Sequence, residues 1–160
     1  GGDDITGYLI EYDTSADFSN PSSTTVTYLD GGSPFYKTIT GLTTGTYYYV
    51  RVSAMNSQGY GSTQVSTPTN LNPYEEPGAP TNVALGVTSD SMLTVSFDEP
   101  TDNGGDEVSA YYVEWDTTSS FNSGSSSPHK GSVTVDATEK SYTITLLSEN
   151  TVYYTRVSCI

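Results

Sequence analysis

Nearly the same stretch of sequence occurs twice in this chain, and that repetition limits the fold more than any other feature. Residues 1–14 (GGDDITGYLIEYDT) return as residues 104–117 (GGDEVSAYYVEWDT), an offset of 103 from Gly1 to Gly104. Residues 42–52 (LTTGTYYYVRV) return as residues 147–157 (LSENTVYYTRV), an offset of 105 from Leu42 to Leu147. Self-similarity at this period marks a tandem array of similar units, so the chain reads as two copies of one module.

The hydrophobic fraction is 34%, low for a globular chain, yet the 14 tyrosines and the many valines recur with period two rather than at random. Short apolar alternation, β-branched residues and abundant Gly, Pro, Asn and Ser predict all-β sandwiches. Tyr8, Ile10 and Tyr12 fall on one face of a first strand, with Leu9 and Glu11 on the other. In the 48–54 strand Tyr48, Val50, Val52 and Ala54 point inward, and Tyr49, Arg51 and Ser53 point outward. The second copy repeats this with Tyr153, Thr155, Val157 and Cys159 inward. Further strands are expected at residues 24–28, 36–42, 62–68, 82–87, 91–97, 132–136 and 141–147, with a Gly-rich hairpin at 56–61. Leu93, Val95 and Phe97 form the core face of the 91–97 strand. Residues 69–80 hold three prolines and no alternation, and read as a short, stiff linker between residues 1–68 and 81–160.

These patterns resemble the fibronectin type III family over nearly the whole chain. The resemblance rests on residues 93–100 (LTVSFDEP), on Asp102-Asn103-Gly104-Gly105 before Tyr111-x-Val113-Glu114-Trp115, and on Leu147-x-x-x-Thr151-x-Tyr153-x-x-x-Val157. In the first copy the last motif continues into Ala54-x-Asn56-x-x-Gly59-x-Gly61. Phe97 stands where the family usually has Trp. The resemblance implies immunoglobulin-like sandwiches. It places Tyr48 and Tyr153 at a "tyrosine corner", where the hydroxyl ties down the preceding turn. Laid onto the family, both copies are incomplete at the chain ends: the first lacks strands A and B, the second lacks G. A segment of a longer repeating polymer is the simpler expectation, and strands supplied by a neighbouring chain the alternative. The Asp-Gly-Gly loop looks like those of giant muscle proteins. The Glu-Trp-Asp-Thr…Phe pattern with acidic loops looks more like multi-repeat surface proteins of algae and protists.

Five basic against 19 acidic residues give a formal charge of −14. Nucleic acid phosphates and anionic lipid repel such a chain, whereas divalent cations and basic partners are attracted. Its single cysteine, Cys159, cannot close a disulfide within the chain, and no apolar run approaches the ~18 residues of a membrane helix.

Catalytic constellations are not readable. The sole histidine, His129, sits in a loop beside Pro128 and Lys130 and reads as a surface residue, and Cys159 reads as a small core thiol. No cofactor is expected beyond calcium. Glu75 and Glu76 in the linker, with Asp102, Asp106 and Glu107 in the B–C loop, are the candidate calcium carboxylates. Solvated acidic loops are the ordinary alternative, since no EF-hand spacing occurs. The candidate binding surface is the outward sheet face. There Arg51 pairs with Glu11 and Arg156 with Glu114, flanked by Tyr49, Tyr112 and Tyr154, either as a platform for sugars or protein partners or as ordinary cross-strand filling. Residues 117–128 (TTSSFNSGSSSP) are dense in hydroxyls and end in proline, as O-glycosylated stretches often do, a plain flexible loop being the alternative.

The expectation is therefore a non-enzymatic spacer or adhesive scaffold of an extracellular or cell-surface repeat array. Its partners would be neighbouring repeats and, on the outward face, glycans or cell-surface proteins. The other readings are a carbohydrate- or protein-binding accessory module of a secreted enzyme and an adhesion-receptor ectodomain.

Overall fold

Alternation of small sets of apolar and polar residues becomes strand wherever a neighbouring strand offers an edge. The computed structural model describes residues 2–27 and 35–160, and every regular element within them is a β-strand. The chain forms two compact units, Gly1–Tyr74 and Glu75–Ile160.

The first unit is one antiparallel sheet of β1 (Gly7–Asp13), β2 (Ser22–Thr27), β3 (Tyr48–Asn56), β4 (Gly59–Tyr60) and β5 (Gln64–Leu71). β1 lies between β2 and β3, and β3 carries both β4 and β5. The register pairs Tyr8 with Ala54, Ile10 with Val52 and Tyr12 with Val50, so the two inward sets share a face. Asn56 opposite Gly59 closes the expected hairpin. The β3–β5 register slips between Tyr49 and Arg51, opposite the stretch of β5 that contains Pro68. A bulge is where a strand can hold a proline, which has no N–H to give the ladder. Beyond the bulge β5 resumes pairing, Asn70 with Tyr49 and Leu71 with Tyr48. Residues 69–71, within the stretch read from sequence as linker, are thus strand.

The second unit has two three-stranded sheets. One orders β10 (Ser141–Ile144), β7 (Met92–Asp98) and β6 (Thr81–Ser89); the other orders β11 (Tyr154–Cys159), β8 (Ala110–Asp116) and β9 (Gly131–Asp136). Val95 and Phe97 from the first sheet and Tyr111, Val113 and Val157 from the second form the buried core, with the Phe97 and Tyr111 rings 4.7 Å apart. The phenylalanine at the family's tryptophan position is fully accommodated there. Ile144, Leu147 and Tyr153 form a neighbouring buried cluster, against which Leu93, Trp115 and Tyr142 pack. Both tyrosine corners are made: the Thr43 amide donates to the Tyr48 hydroxyl at 3.1 Å, and the Ser148 amide to that of Tyr153 at 3.2 Å.

One expected strand does not form. Residues 36–42 are irregular, although their counterpart includes β10. β10 is a strand because β7 offers it an edge, with Tyr142 opposite Val95 and Ile144 opposite Leu93. Among the described residues the first unit has no counterpart of β6 and β7, and alternation without a partner edge leaves backbone groups unpaired. The same lack shows in burial: of the first unit's described hydrophobic residues, only Phe18 is buried.

Gly131 is a packing requirement of the second unit. A Cβ there would stand 2.3 Å from Trp115 Cζ2 and 2.8 Å from Cε2, inside a rigid indole that is also fixed by its Nε1 donating to the Pro128 carbonyl at 3.0 Å. Gly131→Ala is expected to destabilise the second unit by about 1–3 kcal/mol, the usual cost of overpacking. Urea unfolding followed by Trp115 emission measures it, with an earlier midpoint as the expected result.

Candidate interaction faces

The strand register places Glu11 opposite Arg51 and Glu114 opposite Arg156. Each pair is bidentate. Arg51 Nε and Nη2 reach the Glu11 carboxylate at 2.8 and 3.1 Å, and Arg156 makes the same two bonds to Glu114 at 2.6 and 2.9 Å. Two parallel bonds fix the guanidinium plane as well as its position. Hydrogen bonding to the glutamate holds each arginine above its ordinary pKa, against the opposing effect of desolvation. Tyr49 and Tyr154 lie one step along the same face, opposite Asp13 and Asp116, and Tyr112 lies one step the other way, opposite Ser158. The structure thus gathers all six candidate surface residues on the outward sheet faces. The first unit presents Tyr49 and Arg51, and the second Tyr112, Glu114, Tyr154 and Arg156.

Two further residues per unit complete the arrangement, and sequence reasoning missed them. The Arg51 guanidinium carbon lies 4.3 Å from the centre of the Phe18 ring, and that of Arg156 lies 4.3 Å from the Phe121 ring. Both phenylalanines adopt a left-handed backbone, at φ of 52° and 55°. A bulky residue holds that conformation only when its surroundings enforce it. An aspartate at the end of the preceding strand does so. Asp13 accepts the Ser15 and Asn20 amides at 3.2 and 2.9 Å, and Asp116 accepts the Thr118 and Ser123 amides at 3.1 and 3.2 Å. The available signal was the shared spacing Asp-x-x-x-x-Phe, from Asp13 to Phe18 and again from Asp116 to Phe121.

The second unit adds a cation to this clamp. Lys130 Nζ sits 3.3 Å from the buried Asp116 carboxylate and also donates to the Phe121 carbonyl at 2.8 Å. Burial alone raises the Asp116 carboxyl. The polar contacts of Ser123, Thr118 and Lys130 outweigh it and hold the group far below the ordinary carboxylate range.

A family model for the fibronectin type III domain matches residues 1–71 and again residues 78–160. The chain belongs to the fibronectin type III family. Over 91 residues it is 39% identical to human "Ankyrin repeat and fibronectin type-III domain-containing protein 1", a match covering 56% of this chain and 8% of that protein. Among solved structures it is similar to the FN1-FN3 domains of chicken CNTN1, at 22% identity and a TM-score of 0.45, covering 96% of this chain and 49% of that one. It is also similar to a two-domain fibronectin type III segment of chicken tenascin, at 16% identity and a TM-score of 0.48, covering 100% of this chain and 79% of that one. Fibronectin type III domains are typically non-catalytic scaffolds that often mediate protein interactions. Among the described residues no helix is long and apolar enough to cross a membrane.

The remaining sequence candidates sit elsewhere on the modules. The Glu75 amide donates to the Gly104 carbonyl at 2.8 Å and the Gly78 amide to that of Asp102 at 2.9 Å, so residues 75–78 lie along the B–C loop through backbone contacts. Gly104, at φ 72°, permits that approach, since a Cβ there would stand 2.1 Å from the Glu75 oxygen. The carboxylates themselves turn to local amides, Asp102 to Gly104 and Asp106 to Glu107. Among the described residues no group of three or more acidic, His or Cys side chains is placed to hold a metal ion, and Glu75, Glu76, Asp102, Asp106 and Glu107 are not gathered into one. His129, read from the sequence as a surface residue, is half-buried in its loop. Its ring stacks on Tyr153 at a centroid distance of 6.4 Å, with Nδ1 3.3 Å from the hydroxyl. Cys159 packs against the core, and burial raises its thiol pKa.

The Asp116 clamp gives a signed pH dependence. A depressed folded-state pKa contributes stability above the unfolded value, about 3.9, and loses it as pH falls from there through the folded value. Asp116→Asn is expected to unfold more easily than the parent at pH 7, with the difference narrowing progressively below about pH 4. Denaturant midpoints measured across that range test it. A difference independent of pH would remove the carboxylate from the account.

Proposed function

We propose that this chain is a stretch of a tandem fibronectin type III array working outside the cell, as a load-bearing spacer whose outward faces adhere to neighbouring repeats or to cell-surface proteins. The observation that carries the reading is the repetition of one complete surface device, the Glu–Arg–Phe stack with its aspartate-clamped loop, in both modules at equivalent positions. Core packing explains repeated inward residues in any two related domains. It does not require a repeated arrangement on the outward face.

Several features support the finer parts of the proposal. A formal charge of −14 favours solvation of an extended chain and disfavours nucleic acid and anionic membranes as partners. The clamped arginines are rigid, so a partner meeting Tyr49 and Arg51, or Tyr112, Glu114, Tyr154 and Arg156, loses little side-chain freedom on binding. Arg and Tyr are also the residue types that dominate protein interfaces.

The test is peptide mass mapping of the native parent protein, with surface biotinylation of intact cells. Further copies of the Gly-Gly-Asp…Glu-x-Asp-Thr pattern flanking this segment, on a labelled protein, are expected. A parent found only inside unlabelled cells, or one lacking further copies, would overturn the proposal.

A further inference from the structure

We propose that Ser125, Ser126 and Ser127 form an O-glycosylation site, presented by a loop extension that the second module has and the first lacks. The inference rests on the extracellular reading above, because it names a modification made in the secretory route.

The two modules share the base of this loop. In each, the aspartate closing the strand holds the amides two and seven residues on, Ser15 and Asn20 for Asp13, Thr118 and Ser123 for Asp116. Beyond that shared base they diverge. In the first module β2 begins at Ser22, directly after Pro21, whereas in the second β9 does not begin until Gly131. The added stretch is anchored on both sides. Ser123 is held by Asp116, the Pro128 carbonyl accepts the Trp115 indole N–H at 3.0 Å, and Lys130 Nζ reaches back to the Phe121 and Ser123 carbonyls at 2.8 and 3.4 Å.

Between these anchors residues 124–127 are all exposed. The Ser126 carbonyl accepts the His129 and Lys130 amides, so the backbone is turned back and fixed. The three serine hydroxyls have no hydrogen-bond partner among the described residues, and a Cβ at Gly124 would meet nothing within 4 Å. Three adjacent free hydroxyls on an irregular backbone, followed by proline, give a transferase unobstructed access. Two neighbouring hydroxyls are less accessible: that of Ser120 is bonded to Asn122, and that of Ser123 is buried.

Charge favours a sugar over a phosphate here. The nearest cation, Lys130, is already committed to Asp116 and two carbonyls, so added phosphates would stand uncompensated on a chain of charge −14. A neutral sugar adds no charge. In the transfer, a serine Oγ attacks the anomeric carbon of a nucleoside-diphosphate sugar. The new C–O bond forms as the bond to the diphosphate breaks. The nucleoside diphosphate leaves with that electron pair, and the hydroxyl proton passes to a base of the transferase.

The experiment is mass spectrometry of the native protein, with fragmentation that preserves side-chain modifications, read on the peptide containing residues 117–130. Hexose or N-acetylhexosamine increments on one or more of Ser125, Ser126 and Ser127 are expected. The triple variant Ser125→Ala, Ser126→Ala, Ser127→Ala, secreted from the same cells, should lose them while keeping the parent's Trp115 emission. A bare peptide, or a phosphate there, on protein recovered from the cell surface would overturn this inference and leave the extracellular reading standing. Protein confined to the cytosol would overturn both.

Discussion

The contact of Val95 and Phe97 with Tyr111, Val113 and Val157 is what the second module depends on. Fully burying a side chain of this kind stabilises by about 1.5–3 kcal/mol, and among the described residues this cluster holds more buried side chains than its neighbour of Ile144, Leu147 and Tyr153. It fixes the facing of the two sheets, and with it which residues of β8 and β11 look outward. Register then does the rest: a one-residue slip would exchange Glu114 and Arg156 for core residues. The outward arrangement of β8 and β11 is therefore a consequence of the core.

Much of this was legible in the sequence, because period-two alternation and cross-strand pairing are local rules. The two Glu–Arg pairs and both tyrosine corners follow from strand facing plus the family resemblance, whereas Ser53, expected to face outward, is buried and the expected inward set of β3 is only half-buried. What escaped depended on tertiary context. Residues 36–42 alternate as a strand should, yet strand formation needs a neighbour's edge, and no alternation pattern reports whether one is present. Phe18 and Phe121 lie in loops, where hydrophobic periodicity says nothing, so the Glu-Trp-Asp-Thr…Phe pattern was legible as a family likeness but not as a ring stacked on Arg156. The contact of His129 with Tyr153 also escaped, because a single histidine in a loop carries no sign of the tyrosine ring beside it. The calcium expectation grouped carboxylates by loop, whereas among the described residues no three of them are gathered into a cluster, and one oxygen each of Asp102 and Asp106 turns to a local backbone amide.

The two modules show one plan with two loop lengths. Both spend an aspartate, a strained phenylalanine and a bidentate arginine on the same loop and face. The second then lengthens the loop beyond its clamp and adds Lys130 to hold it. Rigid presentation on both faces, with variation confined to loop length and flanking residues such as Leu9 and Tyr112, is how a repeat can keep its fold while changing what it meets.

Amide hydrogen exchange on the 160-residue chain, compared between β1 and β8, tests the dependence on core cover most directly. Both are central strands paired on each side, β1 by β2 and β3, β8 by β9 and β11. They differ in that β8 is covered by Val95 and Phe97 while β1 has no such layer among the described residues. The account predicts markedly slower exchange for the hydrogen-bonded amides of β8 than for their equivalents in β1. Equal protection in the two strands would contradict it, because pairing alone would then suffice to hold the sheet.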